Sequence, residues 1–170
     1  MALIRTARWT IVTAAVAALT AAGTAATAAA PSDSDLLLVR LDPDPAPPGG
    51  DTTVHAVVAN GGPDRTASPI SVVIALPAGF TAHGPYFPSS CTVSAVGHLV
   101  RCTFPPGLRY GQVATALIPA RVDPAVPPGT TAEGQIVAFG PDDRDPADNR
   151  APIGFRVSRA GTGRSQRSHR

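Results

Sequence analysis

The sequence contains no lysine, one methionine and one tryptophan, and only 15% of its 170 residues are charged. Coiled coils and helical bundles need charge-rich runs without proline, so the low charge and the 19 prolines exclude them. Long hydrophobic runs are scarce too, and the one long apolar stretch, near the N-terminus, excludes a multipass membrane protein. Proline and glycine, by contrast, make up about a fifth of the chain and indicate many turns.

The N-terminal segment has the layout of a secretory signal peptide. Arg5 and Arg8 precede an apolar stretch from Trp9 to Ala22, and small residues follow as far as Ala30. We predict a signal peptide over residues 1–30, cleaved near Ala28, and therefore a secreted, extracellular protein. The alternative is an uncleaved anchor, because the stretch approaches the length that spans a bilayer. Association with the cell wall after export remains open.

Short runs of β-forming residues, separated by clusters of proline, glycine and aspartate, fill residues 31–157. They predict seven or eight strands, at Leu36–Leu41, Thr52–Asn60, Ile70–Leu76, Cys91–Val96, His98–Phe104, Val113–Val122, Gln135–Phe139 and Ile153–Val157. Pro119 is the one proline well inside a run, and it predicts an edge position or a bulge. Strands of this length and spacing predict an all-β fold, an antiparallel β-sandwich formed by one domain over residues 31–157.

Alternation within the runs predicts which side chains form the core. Val54, Ala56 and Val58 fall on one face of their strand at period two, which places His55 on the other face. Aromatic residues are few, so we predict a core of Val, Ile, Leu and Ala. Four phenylalanines complete this predicted core: Phe80, Phe104, Phe139 and Phe155.

The two cysteines, Cys91 and Cys102, are predicted to form a disulfide across a hairpin. An exported chain meets an oxidising environment, where an even number of cysteines is usually paired. A hairpin that turns about Val96 and Gly97 pairs Cys91 with Cys102, Val93 with Val100 and Ala95 with His98. Opposed cysteines at a non-hydrogen-bonded position lie within reach of a disulfide. The alternative is a reactive or metal-binding thiol pair, which the spacing does not favour.

Several segments, taken in order, resemble one bacterial domain family. They are Asp35-Leu36-Leu37, Pro48-Gly-Gly-Asp51, Asn60-Gly-Gly-Pro63, Leu76-Pro-Ala-Gly-Phe80, the Cys91 and Cys102 pair, Leu108-Arg-Tyr-Gly-Gln112 and Asp145-Pro-Ala-Asp-Asn149. Over about residues 33–157 the chain is similar to the "conserved repeat domain" family, also called domain of unknown function eleven. The resemblance implies an Ig-like sandwich on bacterial surface proteins with a structural or adhesive role. It carries over no catalytic residue.

Motifs of catalytic chemistry are missing from the sequence. The chain has no G-x-S-x-G, H-E-x-x-H or P-loop motif, and its four histidines stand at no metal-ligand spacing. We predict no catalytic residue and no resident cofactor. The alternative concerns calcium, for which an acidic segment offers hard oxygen ligands: Asp142, Asp143, Asp145, Asp148 and Asn149. These side chains are equally typical of a solvated turn in which they bond nearby backbone N–H groups.

Two further features suggest partners. Tyr86 and Phe87 are adjacent aromatics in a loop rich in proline and glycine. If their rings are exposed, they predict a loop that binds carbohydrate or protein. The alternative is a loop that folds back over the core.

Residues 158–170 predict a disordered basic tail. Together with Arg156 just before it, the tail could contact polyanions of the cell envelope through the last five arginines, which are Arg156, Arg159, Arg164, Arg167 and Arg170. A cell-envelope polymer or surface protein is the expected partner; nucleic acid is not expected, and the chain is expected to be a monomer.

Overall fold

A computed structural model describes residues 32–159. The predicted signal peptide and most of the predicted basic tail lie outside these residues. The described chain contains nine strands: β1 Leu36–Val39, β2 Asp51–Asn60, β3 Ile70–Ala75, β4 Phe80–Ala82, β5 Thr92–Val93, β6 Leu99–Phe104, β7 Val113–Val122, β8 Thr131–Phe139 and β9 Arg150–Arg156.

The strands form two sheets, in which all named pairs are antiparallel. One sheet has the order β1-β2-β7-β4 and the other the order β5-β6-β3-β8-β9. Each sheet is apolar on its inner face, and the two inner faces share one core. The predicted antiparallel β-sandwich is confirmed, and the strand order is that of Ig-like domains, with the β5–β6 hairpin added at one edge.

The strand bounds differ from the prediction by one or two residues at several ends and by more in β5, which is Thr92–Val93 instead of Cys91–Val96, and in β9, which begins at Arg150 instead of Ile153. β4, with three residues, is an additional strand, because so short a run falls below the length at which alternation becomes visible in a sequence. β8 begins at Thr131 rather than Gln135, and it includes Gly134. A Cβ atom on Gly134 would lie 2.6 Å from the carbonyl oxygen of Ala75 on the neighbouring strand β3, so the close approach of the two strands requires glycine there.

Alternate residues of the strands form the core. In β2, Val54, Ala56 and Val58 are fully buried and His55 is exposed, as predicted. Phe80 and Phe155 are buried with their ring centroids 4.6 Å apart, and Phe104 is also buried. The prediction for Phe139 is wrong: its side chain is 52% exposed. Ile136 and Ala138 point inward in β8, so period two directs residue 139 outward.

The hairpin disulfide is confirmed. Cys91 and Cys102 are bonded, and the predicted pairing of Val93 with Val100 is present in the register of β5 and β6. The turn closes where the N–H of Gly97 donates to the carbonyl of Ser94 at 2.9 Å. Gly97 has a φ of +73°, a left-handed conformation that favours glycine.

Pro119 pairs with Thr53 of β2 without a bulge, and although β7 lies between β2 and β4 in the sheet, the other side of Pro119 is a local edge, in line with the predicted edge position. The pyrrolidine nitrogen faces the β4 side of β7, where β4 has already ended at Ala82. The N–H of the next residue, His83, donates to the carbonyl of Pro119 at 3.0 Å. The missing N–H of proline therefore coincides with the end of β4 and breaks no strand pairing.

Candidate functional site

The outer face of the four-stranded sheet carries an apolar surface where a solvated face is expected. Antiparallel sheets normally alternate between a buried apolar face and a polar face toward water. Here the outward positions of β1, β2 and β7 lie side by side, because Leu37 pairs with Ala59 and Val39 with Val57, while β2 and β7 are paired in register. We call this surface the apolar sheet face; it consists of Leu37, Val39, Val57, Ala59, Val113 and Leu117.

Exposure of these side chains confirms that water reaches the apolar sheet face. Val39 is 41% exposed and Val113 is 56% exposed. The other members are partly buried by their neighbours on the same face. Sequence reasoning missed this surface because it assumed that only one face of each strand is apolar. The signal was present in adjacent apolar residues such as Val57-Val58 and Leu36-Leu37. Consecutive residues of a strand point to opposite faces, so such pairs make both faces apolar.

The predicted ligand loop borders this face, but its two aromatics point in different directions. Tyr86 is partly buried and packs against the core. Phe87 is 59% exposed, and its backbone pairs with Leu117 through hydrogen bonds of 3.1 and 2.8 Å. Beside Phe87 lies a groove of about 520 Å³ between the start of β7 and the segment from Phe104 to Leu108.

The edge of β7 beside this groove is partly open. Even-numbered residues of β7 direct their N–H and carbonyl groups toward β2. The N–H of Val122, for example, donates to the carbonyl of Gly50. Odd-numbered residues face the other side, where β4 pairs with residues 120–122 and Phe87 pairs with Leu117. Within residues 32–159, no strand pairs with Val113 or Thr115 on that side. Their N–H and carbonyl groups are therefore available to an added strand.

The acidic segment Asp142–Asn149 closes one end of the sandwich and is largely used for structure. The carboxylate of Asp142 accepts hydrogen bonds from the N–H groups of Ala67 at 2.7 Å and Ser68 at 3.1 Å and from the hydroxyl of Ser34 at 3.1 Å. Burial opposes its ionisation, but these donors outweigh burial and hold the pKa of Asp142 below its ordinary value.

The remaining acids of this segment lie close together. Asp143 accepts from the N–H groups of Leu36 and Asp145 and from the side-chain amide of Asn149. Burial, followed by the charges of Asp35, Asp145 and Asp143, raises the pKa of Asp148. Within residues 32–159, no group of three or more His, Cys, Asp or Glu side chains is arranged to hold a metal ion. Calcium binding by Asp143, Asp145, Asp148 and Asn149 stays a prediction, whereas Asp142 is engaged with backbone donors.

A charged cluster occupies the opposite part of the outer sheet face. Asp51 forms a two-point contact with Arg121, with both distances 2.9 Å, and the Nε2 atom of His83 lies 3.0 Å from the same carboxylate. The Arg121 hydrogen bonds lower the pKa of Asp51 from 3.8 to about 2. The other ring nitrogen of His83 faces the carbonyl oxygen of Gly84. This imidazole therefore has a carboxylate partner but faces a carbonyl instead of a nucleophilic hydroxyl.

The arginines assigned to polyanion contact are only partly within the described chain. Arg156 is exposed at the end of β9, and its carbonyl accepts the N–H of Ala46 at 3.3 Å. Arg159 is the last described residue. Arg164, Arg167 and Arg170 lie outside the described residues. Residues 32–159 form no helix with the length and apolar character needed to cross a membrane.

Fold and surfaces together define an Ig-like β-sandwich domain with one disulfide. No family model matches the chain, and no curated protein matches it. Among solved structures, it is similar to AvmM, described as catalysing macrocyclization in alchivemycin A biosynthesis, with 12% identity, a TM-score of 0.43 and coverage of 76% of this chain and 90% of the other. A chain from a complex of a CaDoc0917 variant with CaCohA2 gives 13% identity, a TM-score of 0.46 and coverage of 74% and 99%.

The ASH/PapD-like domain of human CEP192 is a third similar structure, with 13% identity, a TM-score of 0.36 and coverage of 79% and 92%. These similarities are too distant to carry a function from any of the three proteins to this chain.

Proposed function

We propose that the protein is an exported, non-enzymatic adhesive module that contacts a partner protein of the bacterial cell envelope through the apolar sheet face. The observation that carries this proposal is the exposure of Val39, Val113 and Phe87 on and beside one sheet face. Apolar surface of this kind is unfavourable in water unless a partner covers it. Export is supported by the Cys91–Cys102 disulfide, a bond that persists in oxidising compartments, and by the signal-like N-terminus.

The chemistry of the surface favours a protein partner over a carbohydrate. Sugar binding by stacking uses exposed aromatic rings, and of the predicted pair only Phe87 is strongly exposed while Tyr86 packs against the core. The open edge of β7 offers the N–H and carbonyl groups of Val113 and Thr115, which match the backbone of an extended protein segment. Such a segment would also lie along the groove beside Phe87.

The proposal is tested by the retention of the full-length protein on its own cells. Val113→Glu places a charge on the apolar sheet face, at the start of β7 beside the groove, and we expect this variant to be released into the medium at both low and high salt. The matched control is Val96→Glu, because Val96 is 69% exposed in the turn of the β5–β6 hairpin. Both are surface changes, so both variants should keep the melting temperature of the unchanged protein within a few degrees.

A second mode of attachment is supported by the distribution of charge. Residues 31–155 carry seven arginines and twelve acidic residues, whereas residues 156–170 carry five arginines and no acid. Such a basic segment binds polyanions in a salt-dependent way. If deletion of residues 160–170 or high salt releases the protein while Val113→Glu is retained, attachment is electrostatic and the apolar sheet face is not the contact. Full release of the unchanged protein under all conditions would contradict both modes.

A further inference from the structure

The groove beside Phe87 has one wall that can pair with an extended chain and one wall that lacks free donors. On the β7 side, the N–H and carbonyl groups of Val113 and Thr115 have no backbone partner within residues 32–159. The opposite wall is formed by residues 105–108. Its two prolines have no N–H group, and the N–H groups of its other two residues donate to the hydroxyl oxygen of Thr66 at 3.0 and 3.1 Å. A chain in the groove would therefore form a strand pairing with β7 and only pack against the other wall.

Phe87 already occupies one position along this edge and sets the direction of a further strand. It pairs antiparallel with Leu117, and the two residues exchange hydrogen bonds of 3.1 and 2.8 Å. Thr115 and Val113 are the next two positions of the same phase, and a segment that continues the antiparallel pattern would exchange two hydrogen bonds with each of them. The paired part of such a segment is three residues long, because one residue lies between the two bonded ones.

Side chains around the groove define which residues such a segment can carry. Ala114 packs against the core, so the central residue of the segment, which lies opposite Ala114, also points inward, where Ile70 and Phe104 line the groove. Its two neighbours point outward beside Val113 and Thr115. No residue that lines the groove carries a charge, and a charged side chain placed there would lose its hydration without gaining a partner. The groove thus favours an uncharged segment with an apolar central residue.

We propose that this groove binds an extended, uncharged segment of the partner protein as an additional strand antiparallel to β7. The inference rests on the proposed function and specifies how the partner is recognised. Hydrogen bonds to the backbone of Val113 and Thr115 hold the segment in register, and the space beside Ala114 selects its central side chain. Val113 belongs both to this edge and to the apolar sheet face, so one partner covers both.

Retention of the full-length protein on its own cells tests the added strand through Thr115→Pro. Proline removes the N–H group that faces the groove, whereas pairing with β2 uses the even-numbered residues of β7 and should persist. Pro119 stands in the same phase of β7 and pairs with β2, so the variant should keep the melting temperature within a few degrees. We expect retention to fall about tenfold, because a hydrogen bond is lost and the ring obstructs the edge. Thr115→Val is the matched control, since it keeps the N–H group and should be retained like the unchanged protein.

Hydrogen exchange gives a second signature, which a general change in stability would not produce. The unchanged protein is exposed to deuterated water either free or bound to envelopes isolated from the same cells, and its amides are then read by NMR after release. The amides of Val113 and Thr115 should exchange about tenfold more slowly in the bound protein. The amide of Ala114, which is on the side already paired with β2, should change little.

The added strand is overturned if Thr115→Pro is retained as well as the unchanged protein, or if the amides of Val113 and Thr115 gain no protection. Release of Val113→Glu together with retention of Thr115→Pro would leave the contact through the apolar sheet face in place and remove only the added strand. Retention of both variants would contradict both proposals. Sedimentation velocity checks for another occupant: a dimer that Thr115→Pro dissociates would mean that a second copy of this chain fills the groove, which also overturns the proposal.

Discussion

Asn60 shows at the level of one residue how a turn motif connects distant parts of this domain. Its side chain is 1% exposed. Oδ1 accepts the N–H groups of Asp35 at 3.1 Å and Gly62 at 3.0 Å, and Nδ2 donates to the carbonyls of Asp64 at 2.7 Å and Leu108 at 2.9 Å. One amide thereby fixes the N-terminal segment, the turn after β2 and the loop before β7.

We expect Asn60→Leu to lower the free energy of unfolding by about 3 kcal/mol or more, because it leaves several buried donors and acceptors without partners. Asn60→Asp keeps Oδ1 but sets a carboxylate oxygen against the carbonyls of Asp64 and Leu108 and buries a charge, so it should be at least as destabilising. Urea unfolding measures both variants. A loss below about 1 kcal/mol for the leucine variant would mean that water replaces the amide at this position and that the connection is not structural.

Asp51 gives the domain a defined response to acid. Its pKa is lowered from 3.8 to about 2, first by the Arg121 hydrogen bonds and further by His83. The unfolded chain therefore binds more protons than the folded chain between these two values. The stabilisation is complete above the unfolded pKa and is lost as the pH falls toward about 2.

Unfolding midpoints in urea across this pH range, together with a carboxyl titration by NMR, measure the effect. In Asp51→Asn the part of the pH dependence due to residue 51 should disappear. High salt should weaken the effect, because the pair is exposed. An NMR titration that placed Asp51 near 3.8 would show that Arg121 does not hold this carboxylate in solution.

At the level of elements, the β5–β6 hairpin depends on a covalent link. β5 has only two residues and lies at the edge of its sheet, so its few hydrogen bonds alone hold it weakly. The disulfide closes a loop with a sequence separation of 11, and in the chain-entropy model such a link contributes roughly 3 kcal/mol by restricting the unfolded chain.

The double variant Cys91→Ala, Cys102→Ala should therefore unfold at lower urea concentration, with a loss of about 3 kcal/mol, and it should remain folded at about 25 °C. Its β5 amides should exchange hydrogen faster than those of β2, which pairs with β7 over residues 51–59 and with β1 over residues 57–60. Reducing agent should have the same effect on the unchanged protein and none on the variant. A stability difference below about 1 kcal/mol would contradict the entropic account.

Features of this architecture that depend on neighbouring residues could be predicted from the sequence, whereas those that depend on pairing between distant strands could not. The period-two alternation of β2 and the spacing of the cysteines are local signals, and they correctly predicted the buried face and the hairpin register. The outward direction of Phe139 depends on the phase of β8, which starts before Gly134 in a segment that the sequence predicts as a loop. The apolar sheet face arises from pairing between β1, β2 and β7, which are distant in sequence.

The candidate calcium site shows the same limit. The acidic segment was recognisable, but Asp35 precedes it by more than a hundred residues and meets it only in the folded chain, where Arg144 donates to its carboxylate and Leu36 donates its N–H to Asp143. The removal of Asp142 from the candidate ligands likewise depends on Ser34, Ala67 and Ser68, which meet it only in the folded sandwich. Long-range pairing therefore decides which of the acids are free to bind an ion.

At the level of the whole molecule, the proposed export of the protein has a spectroscopic consequence. The sole tryptophan is Trp9, which lies within the predicted signal peptide, and the remaining aromatic residues are tyrosines and phenylalanines. The protein recovered from the medium should therefore show tyrosine emission only, and its mass should correspond to a chain that begins near residue 29. The precursor inside the cell is the control and should show tryptophan emission. Tryptophan emission from exported protein would mean that residues 1–30 are retained as an anchor, and the apolar sheet face would then act close to the membrane instead of at a distance from it.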